Sequence, residues 1–291
     1  DGTYSLYTVD AAGNLSQAAA NTYVVDTTAP TTTAAVTGIT DNVGNITGNV
    51  ASGDRTDDTS LVITGTLGGA TAGASLATGE TVRIYDGSTY LGDATVTVNA
   101  GGQSTWSYTD TRTLSNNQAL SYTARVADAV LNQSAAGTAY TATVDTAPPT
   151  ATLTSGTGPN SGSATVKSSE AGTAYLVKTN GTGAVNVSNL ASITGAADAK
   201  VNSVDVAANT DTTLSLSGLE DGTYSLYTVD AAGNLSQAST NTYVVDTTAP
   251  TTTAAVTGIT DNVGNITGTV ASGGRTDDTS LVITGTMGAA T

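Results

Sequence analysis

The feature that most constrains this chain is an internal repeat. Residues 1–71 return as 221–291, an offset of 220, and the two copies differ only at positions 19, 20, 49, 54, 67 and 69 of the first. Fidelity over that distance marks recent duplication, so the 291 residues cover little more than one period of something longer. A β-sandwich needs about 100 residues. A period of 220 therefore reads as two domains.

The prolines place the boundaries. Pro30, Pro148, Pro149 and Pro250 fall in one recurring phrase: Val-Val-Asp-Thr-Thr-Ala-Pro at 24–30 and 244–250, and Val-Asp-Thr-Ala-Pro-Pro at 144–149. Proline there ends strand pairing and stiffens the join. The expected division is the end of a short domain (1–26), a long domain (27–145), a short domain (146–246) and the start of another long one (247–291). The first and last pieces supply about two strands each, too few to bury a sandwich core alone.

Alternating β-branched and aromatic residues between Gly, Asn and Asp turns predict strands near 31–39, 60–67, 80–86, 90–98, 104–109, 119–128 and 138–145 in the long domain. In the short one they predict 150–154, 162–168, 173–178, 201–206, 212–217, 222–229 and 240–246. Asp86-Gly87-Ser88 and Asn99 to Gly102 are hairpin turn signals. Seven short strands per domain give an all-β fold, tandem immunoglobulin-like Greek-key sandwiches arranged end to end. The alternation argues against the competing reading, a disordered Ser/Thr stalk. Tyr224, after Leu219-Glu-Asp-Gly-Thr, stands where a tyrosine corner belongs, with Tyr122 and Tyr4 as counterparts. Trp106, the single tryptophan, reads as a packing residue.

Net charge excludes whole classes of partner. With 24 acidic residues against 8 basic ones the chain carries -16, so neither a nucleic-acid backbone nor an anionic membrane surface suits it. No apolar run is long enough to insert in a membrane. The absence of cysteine and histidine removes disulfides, thiolate sites, imidazole ligands and Ser-His-Asp chemistry. Paired acids in short turns without a long insertion do not build a glycosidase cleft, and no enzyme is expected. The three lysines all lie in the short domain, and neither isopeptide bonds nor glycans are assigned.

Several motifs together resemble one family. Asp41-Asn42-Val43-Gly44 with Asp57-Asp58, then Tyr85-Asp86-Gly87, Leu91-Gly92 and Trp106, resemble the bacterial Ig-like repeats of giant adhesins, biofilm-associated and repeats-in-toxin proteins exported by type I secretion. So do Val229-Asp230-Ala-Ala-Gly-Asn234-Leu-Ser and Val245-Asp246-Thr-Thr-Ala-Pro250. The resemblance implies an extracellular location, on the bacterial surface or secreted. It also implies serial domains joined stiffly, often with calcium near the joints, that hold a binding region away from the cell in adhesion or biofilm. One loop departs from the pattern. Ala127-Asp128-Ala-Val-Leu-Asn132 lacks the glycine of the usual Asp-x-Ala-Gly-Asn, which argues against a metal role for Asp128.

The residues themselves allow calcium, which takes six to eight oxygens from carboxylates, amides and backbone. Asp41, Asn42 and Asn45 precede a Gly-rich turn that Asp57 and Asp58 follow. Sandwich topology sends that turn toward the exit strand carrying Asp145, and sends Asp230 and Asn234 of the next domain back toward the same junction. Those eight residues are the candidate metal ligands. Asp54 is dispensable, since its counterpart at 274 is Gly. The bland reading makes the same acids solvated turn caps. Expected partners are neighbouring repeats of the same chain. The alternative function is a repeat or subunit of a self-assembled extracellular filament or sheath, in which other copies are the partners.

Overall fold

The computed structural model describes residues 1–68, 75–98, 104–265 and 267–288. The turn signal at Asn99 to Gly102 lies outside them. The chain divides into two compact units, 1–245 and 246–291.

The first unit opens with an antiparallel hairpin of β1 (Gly2–Ser5) and β2 (Thr22–Val25). Ten strands follow: β3 (Thr33–Asp41), β4 (Gly48–Val50), β5 (Arg55–Thr56), β6 (Val62–Gly68), β7 (Thr81–Asp86), β8 (Thr89–Asp93), β9 (Thr95–Val98), β10 (Ser104–Thr109), β11 (Ala119–Ala127) and β12 (Tyr140–Val144). They form two sheets, ordered β4-β3-β6-β10-β9 and β5-β12-β11-β7-β8. The chain crosses from sheet to sheet between β4 and β5, β5 and β6, β6 and β7, β8 and β9, and β10 and β11. That alternation of layers is the Greek-key order of an immunoglobulin-like sandwich. Period-two patterning fills the space between the sheets: along β11, Leu120, Tyr122, Ala124 and Val126 point inward and are buried. They meet Ile39 and Ile63 from the facing sheet and Ile84 from the neighbouring β7.

The short module repeats the plan with β13 (Ala151–Leu153), β14 (Gly156–Gly158), β15 (Ser163–Ser168), β16 (Gly172–Asn180), β17 (Val201–Val206), β18 (Thr212–Ser215), β19 (Gly222–Asp230) and β20 (Thr242–Val245). Its sheets are β13-β15-β18 and β14-β20-β19-β16-β17. Two features escape the strand pattern. In each module a very short strand pairs parallel with the last one, β5 with β12 and β14 with β20. Strands of two or three residues carry too little alternation to be seen in sequence. The β16–β17 connection, 181–200, also folds a helix, α1 (Leu190–Thr194), capped by Asn189. The Asn189 side chain accepts from Ser192 N while the Ser192 hydroxyl accepts from Asn189 N, and Ile193 beneath is buried. A helix this short is marginal alone, so the cap and the Ile193 anchor hold it.

The unit 246–291 holds β21 (Ala254–Asp261), β22 (Gly268–Val270) and β23 (Val282–Met287) in a sheet ordered β22-β21-β23.

The tyrosines divide. Tyr224 is fully buried and its hydroxyl donates to Glu220 O at 2.7 Å, with Ala199 O at 3.2 Å, as the corner geometry requires. Burial, with the Glu220 charge, pushes its phenol up to about 12. Tyr122 is equally buried but donates 2.6 Å to the Asp110 carboxylate, which the Arg112 guanidinium holds in turn. The long module has thus replaced a backbone acceptor with an ion pair. Tyr4 holds on β1 the place that Tyr224 holds on β19, one repeat earlier. Trp106 is buried and donates from Nε1 to Thr66 O at 3.2 Å.

Candidate functional site at the module joint

The acidic turn between β3 and β6 is built from its own carboxylates. Asp41 accepts from Val43 N and from the Thr56 hydroxyl, and Asp58 accepts from Asn42 N and Ser60 N. Both are buried. Gly44, at φ 70°, lies under the Asp57 carboxylate, where a Cβ would meet Oδ2 at 1.9 Å. The same arrangement recurs around Asp261, Asp278 and Gly264 in the second unit. The turn is therefore locally encoded. Asp57 differs from its neighbours, because its Oδ1 is buried without a hydrogen-bond partner. Burial first, then the charge of Asp41, with a smaller push from Asp230, raise its carboxyl to about 6.

A second recurring element is the loop after β1, β11 and β19. In each, an Asp accepts on Oδ1 from the backbone N–H groups two and four residues on, and on Oδ2 from the side chain of the Asn four residues on. The pairs are Asp10 with Asn14, Asp128 with Asn132 and Asp230 with Asn234. Where the first and third loops use a glycine, the second places Leu131 in the left-handed region at φ 72°. The missing glycine has not changed the loop; it has put a strained residue in it. The Asn then reaches out of its module. Asn132 Nδ2 donates to Asp26 O at 3.1 Å and Asn234 Nδ2 to Asp145 O at 2.8 Å. In both cases the acceptor is the backbone of the aspartate that ends the preceding domain.

At the joint after residue 145 these elements meet. One oxygen from each of Asp145, Glu170 and Asp230 lies within 4.8 Å of the others, with both aspartates buried. Arg55 brings a positive charge, its Nη1 2.9 Å from Asp145 Oδ2. Burial, then Asp145 and Asp230, raise the Glu170 carboxyl, and Arg55 opposes them. Asn45 of the long module spans the joint with both ends of its amide, donating 2.9 Å to Gly233 O and accepting from Leu190 N at 3.0 Å. Gly233 sits against Ile46, close enough that a Cβ would lie 3.1 Å from Ile46 N. A cavity of about 410 Å³ opens beside these contacts, lined in part by Asn45, Asp57, Asn189, Tyr227 and Asn234.

Of the eight candidate ligands, Asp145 and Asp230 come together, and Asp57 lies within electrostatic reach of Asp41 and Asp230. Asp41 and Asp58 have their carboxylates engaged in shaping the turn. Asn42 contributes its backbone N–H to Asp58. Asn45 and Asn234 act as clamps, their amides committed to hydrogen bonds across the joint. Sequence reasoning missed Glu170 and Arg55. Glu170 had a readable signal: the loop between the second and third long strands of a sandwich shares a pole with the loop that holds Asp230. Arg55 is retained as Arg275 in the second copy.

No family model matches the chain, and no curated protein matches it. Among solved structures it is similar to the fibronectin(III)-like modules of CbhA from Clostridium thermocellum (16% identity, 67% of this chain and 90% of that one, TM-score 0.37). It is also similar to the BSP domain of a biofilm-associated protein (19%, 69% and 30%, TM-score 0.23). A third is the FN1-FN3 domains of chicken CNTN1 (11%, 84% and 76%, TM-score 0.33). The chain spans under a third of the biofilm-associated chain. Its own strand order and core make it an all-β chain of immunoglobulin-like sandwiches in series.

Proposed function

We propose that this chain is an extracellular spacer: a run of sandwich modules in a large bacterial surface adhesin, stiffened by calcium at the joint after residue 145. The observation that supports it best is the joint itself. Carboxylates from two modules gather there, and Asp57 keeps a buried oxygen with no partner beside the charges of Asp41 and Asp230. Two carboxylates 4 Å apart repel by roughly 4 kcal/mol in a protein-like dielectric, and one Arg55 does not neutralise the group.

The donor set suits a hard cation that binds oxygen. Asp57, Asp145, Glu170 and Asp230 are the residues that would hold calcium, and its charge would offset their repulsion across the joint. The test is thermal unfolding of the chain in chelator and in about 1 mM calcium, within the range where extracellular modules bind. Calcium raises the melting temperature of the parent protein and not of the Asp57→Asn variant. Identical melting of the parent in both solutions removes calcium from the reading and leaves a spacer held by direct contacts alone.

A further inference from the structure

The joint contains a second device that does not use the acids. Asn45 lies in the turn between β3 and β4 of the long module, and its amide grips two backbone groups of the short module, Gly233 O and Leu190 N. Leu190 is the first residue of α1, so its N–H has no acceptor within the helix. The long module supplies that acceptor. Through Asn45 the chain caps the helix of the next module from outside, in addition to the Asn189 cap inside it.

Neither half of this grip exists in the reverse order. In a short module the connection from β13 to β15, 154–162, holds β14 and no counterpart of the β3–β4 turn, and its Asn160 amide donates to Leu219 O of the same module. In a long module the connection that corresponds to 181–200 is the tight turn Gly87-Ser88 between β7 and β8, so there is no helix to cap. The Asn-to-carbonyl tether, by contrast, is present after both kinds of boundary, at Asp26 and at Asp145. Two bonds at different points of a surface resist rotation in a way that a single tether does not.

We infer that the Asn45 bridge to Gly233 and Leu190 is a module-specific lock that makes each long–short pair one rigid body, while a long module following a short one has the common tether without this bridge. The array would then flex at every second joint, with the 220-residue period as its rigid link. This holds with or without calcium, and its test is run in chelator so that it does not depend on the spacer's metal.

The chain has no cysteine, so two can be introduced cleanly for spin labels. Ser88→Cys in the long module and Thr213→Cys on β18 of the short one are exposed positions on either side of the joint. Pulsed electron paramagnetic resonance on the full chain reads the distance distribution between them. The doubly labelled parent gives one narrow distribution. Asn45→Ala, which removes both bonds, lowers the ratio of docked to released joint by about thirtyfold, and the distribution broadens. Leu190→Pro removes only the N–H, at a helix position where proline is tolerated and after an Asn189 already extended, and shifts that ratio about fivefold.

Leu190→Ala keeps the N–H and leaves the distribution as in the parent. Combining Leu190→Pro with Asn45→Ala adds nothing to Asn45→Ala alone, since both act on one interaction. A broad distribution in the parent overturns the lock. So does an Asn45→Ala distribution as narrow as the parent's, in protein whose circular dichroism shows both samples folded.

Discussion

At the residue scale the joint turns on Asp57, whose environment can be read as a stability term. Its carboxyl, ordinarily near 3.8, is raised to about 6 by burial and by Asp41 and Asp230. The folded protein therefore holds that proton more tightly than the unfolded chain does. Between about pH 4 and pH 6 the folded state carries the extra proton, so stability falls as pH rises through that window and the full penalty stands above it. Solvent at a partly exposed group screens the shift to about 1–2 kcal/mol. In chelator, Asp57→Asn is expected to melt higher than the parent at pH 7, by about that amount, and to lose the slope between pH 4 and 6. Equal melting curves across the window would show that the carboxylate is solvated. Tyr224→Phe is expected to cost about 1–2 kcal/mol, because it leaves the Glu220 carbonyl without its donor. Tyr224 was legible in sequence from the turn ahead of it. The fate of Tyr122 was not, since its acceptor is a side chain, Asp110, at the far start of the connection into β11, twelve residues back.

At the element scale the loops Asp10–Asn14, Asp128–Asn132 and Asp230–Asn234 make the same internal bonds in two kinds of module, so the sequence pattern that matters is the Asp and the Asn four residues on. The glycine between them is a convenience of backbone conformation. Leu131 shows this, at φ 72° and 61% exposed. Left-handed backbone costs a non-glycine residue roughly 1–2 kcal/mol, and glycine gives back part of the gain in unfolded-state entropy. Leu131→Gly should stabilise the long module by about 0.5–1 kcal/mol, read as a higher denaturant midpoint at unchanged slope. A lower midpoint would mean that the leucine makes a contact worth more than the strain. The main strands were legible because their alternation is long enough to see. Helix α1 was not, because five residues carry no usable periodicity and its only sign is Asn189 three positions before Ser192. The acids were legible as a group, but their division of labour was not: Asp41 and Asp58 shape a turn, Asn45 and Asn234 clamp backbone, and only Asp57 keeps an uncommitted oxygen. That division depends on which backbone N–H groups the fold brings within reach.

At the scale of the whole molecule the question is whether calcium acts by occupying a site or by screening a chain of net charge -16. Magnitudes separate the two. In 0.15 M sodium chloride the screening length is already about 8 Å, and a further 1 mM of a divalent salt hardly alters it. Any change in shape on adding calcium to such a solution must come from binding. For a site with a dissociation constant ten times below the free calcium concentration, the gain is RT ln 11, about 1.4 kcal/mol, which favours one interdomain angle about tenfold. Magnesium at the same concentration is a control of equal charge. It demands a smaller octahedral shell and gives up its water reluctantly, so carboxylates spread over two modules should hold it less well. Small-angle scattering of the chain in 0.15 M salt is expected to show a larger maximum dimension with a narrower distribution in 1 mM calcium than in chelator. Magnesium should produce little of that change, and Asp57→Asn should abolish it. If magnesium or an added 0.2 M sodium chloride reproduces the calcium effect in full, calcium acts by screening diffuse charge rather than by occupying a site, and the acids serve to keep a long chain soluble. The stiffness of the array then belongs to the hydrogen bonds of Asn45 and Asn234 at the joint.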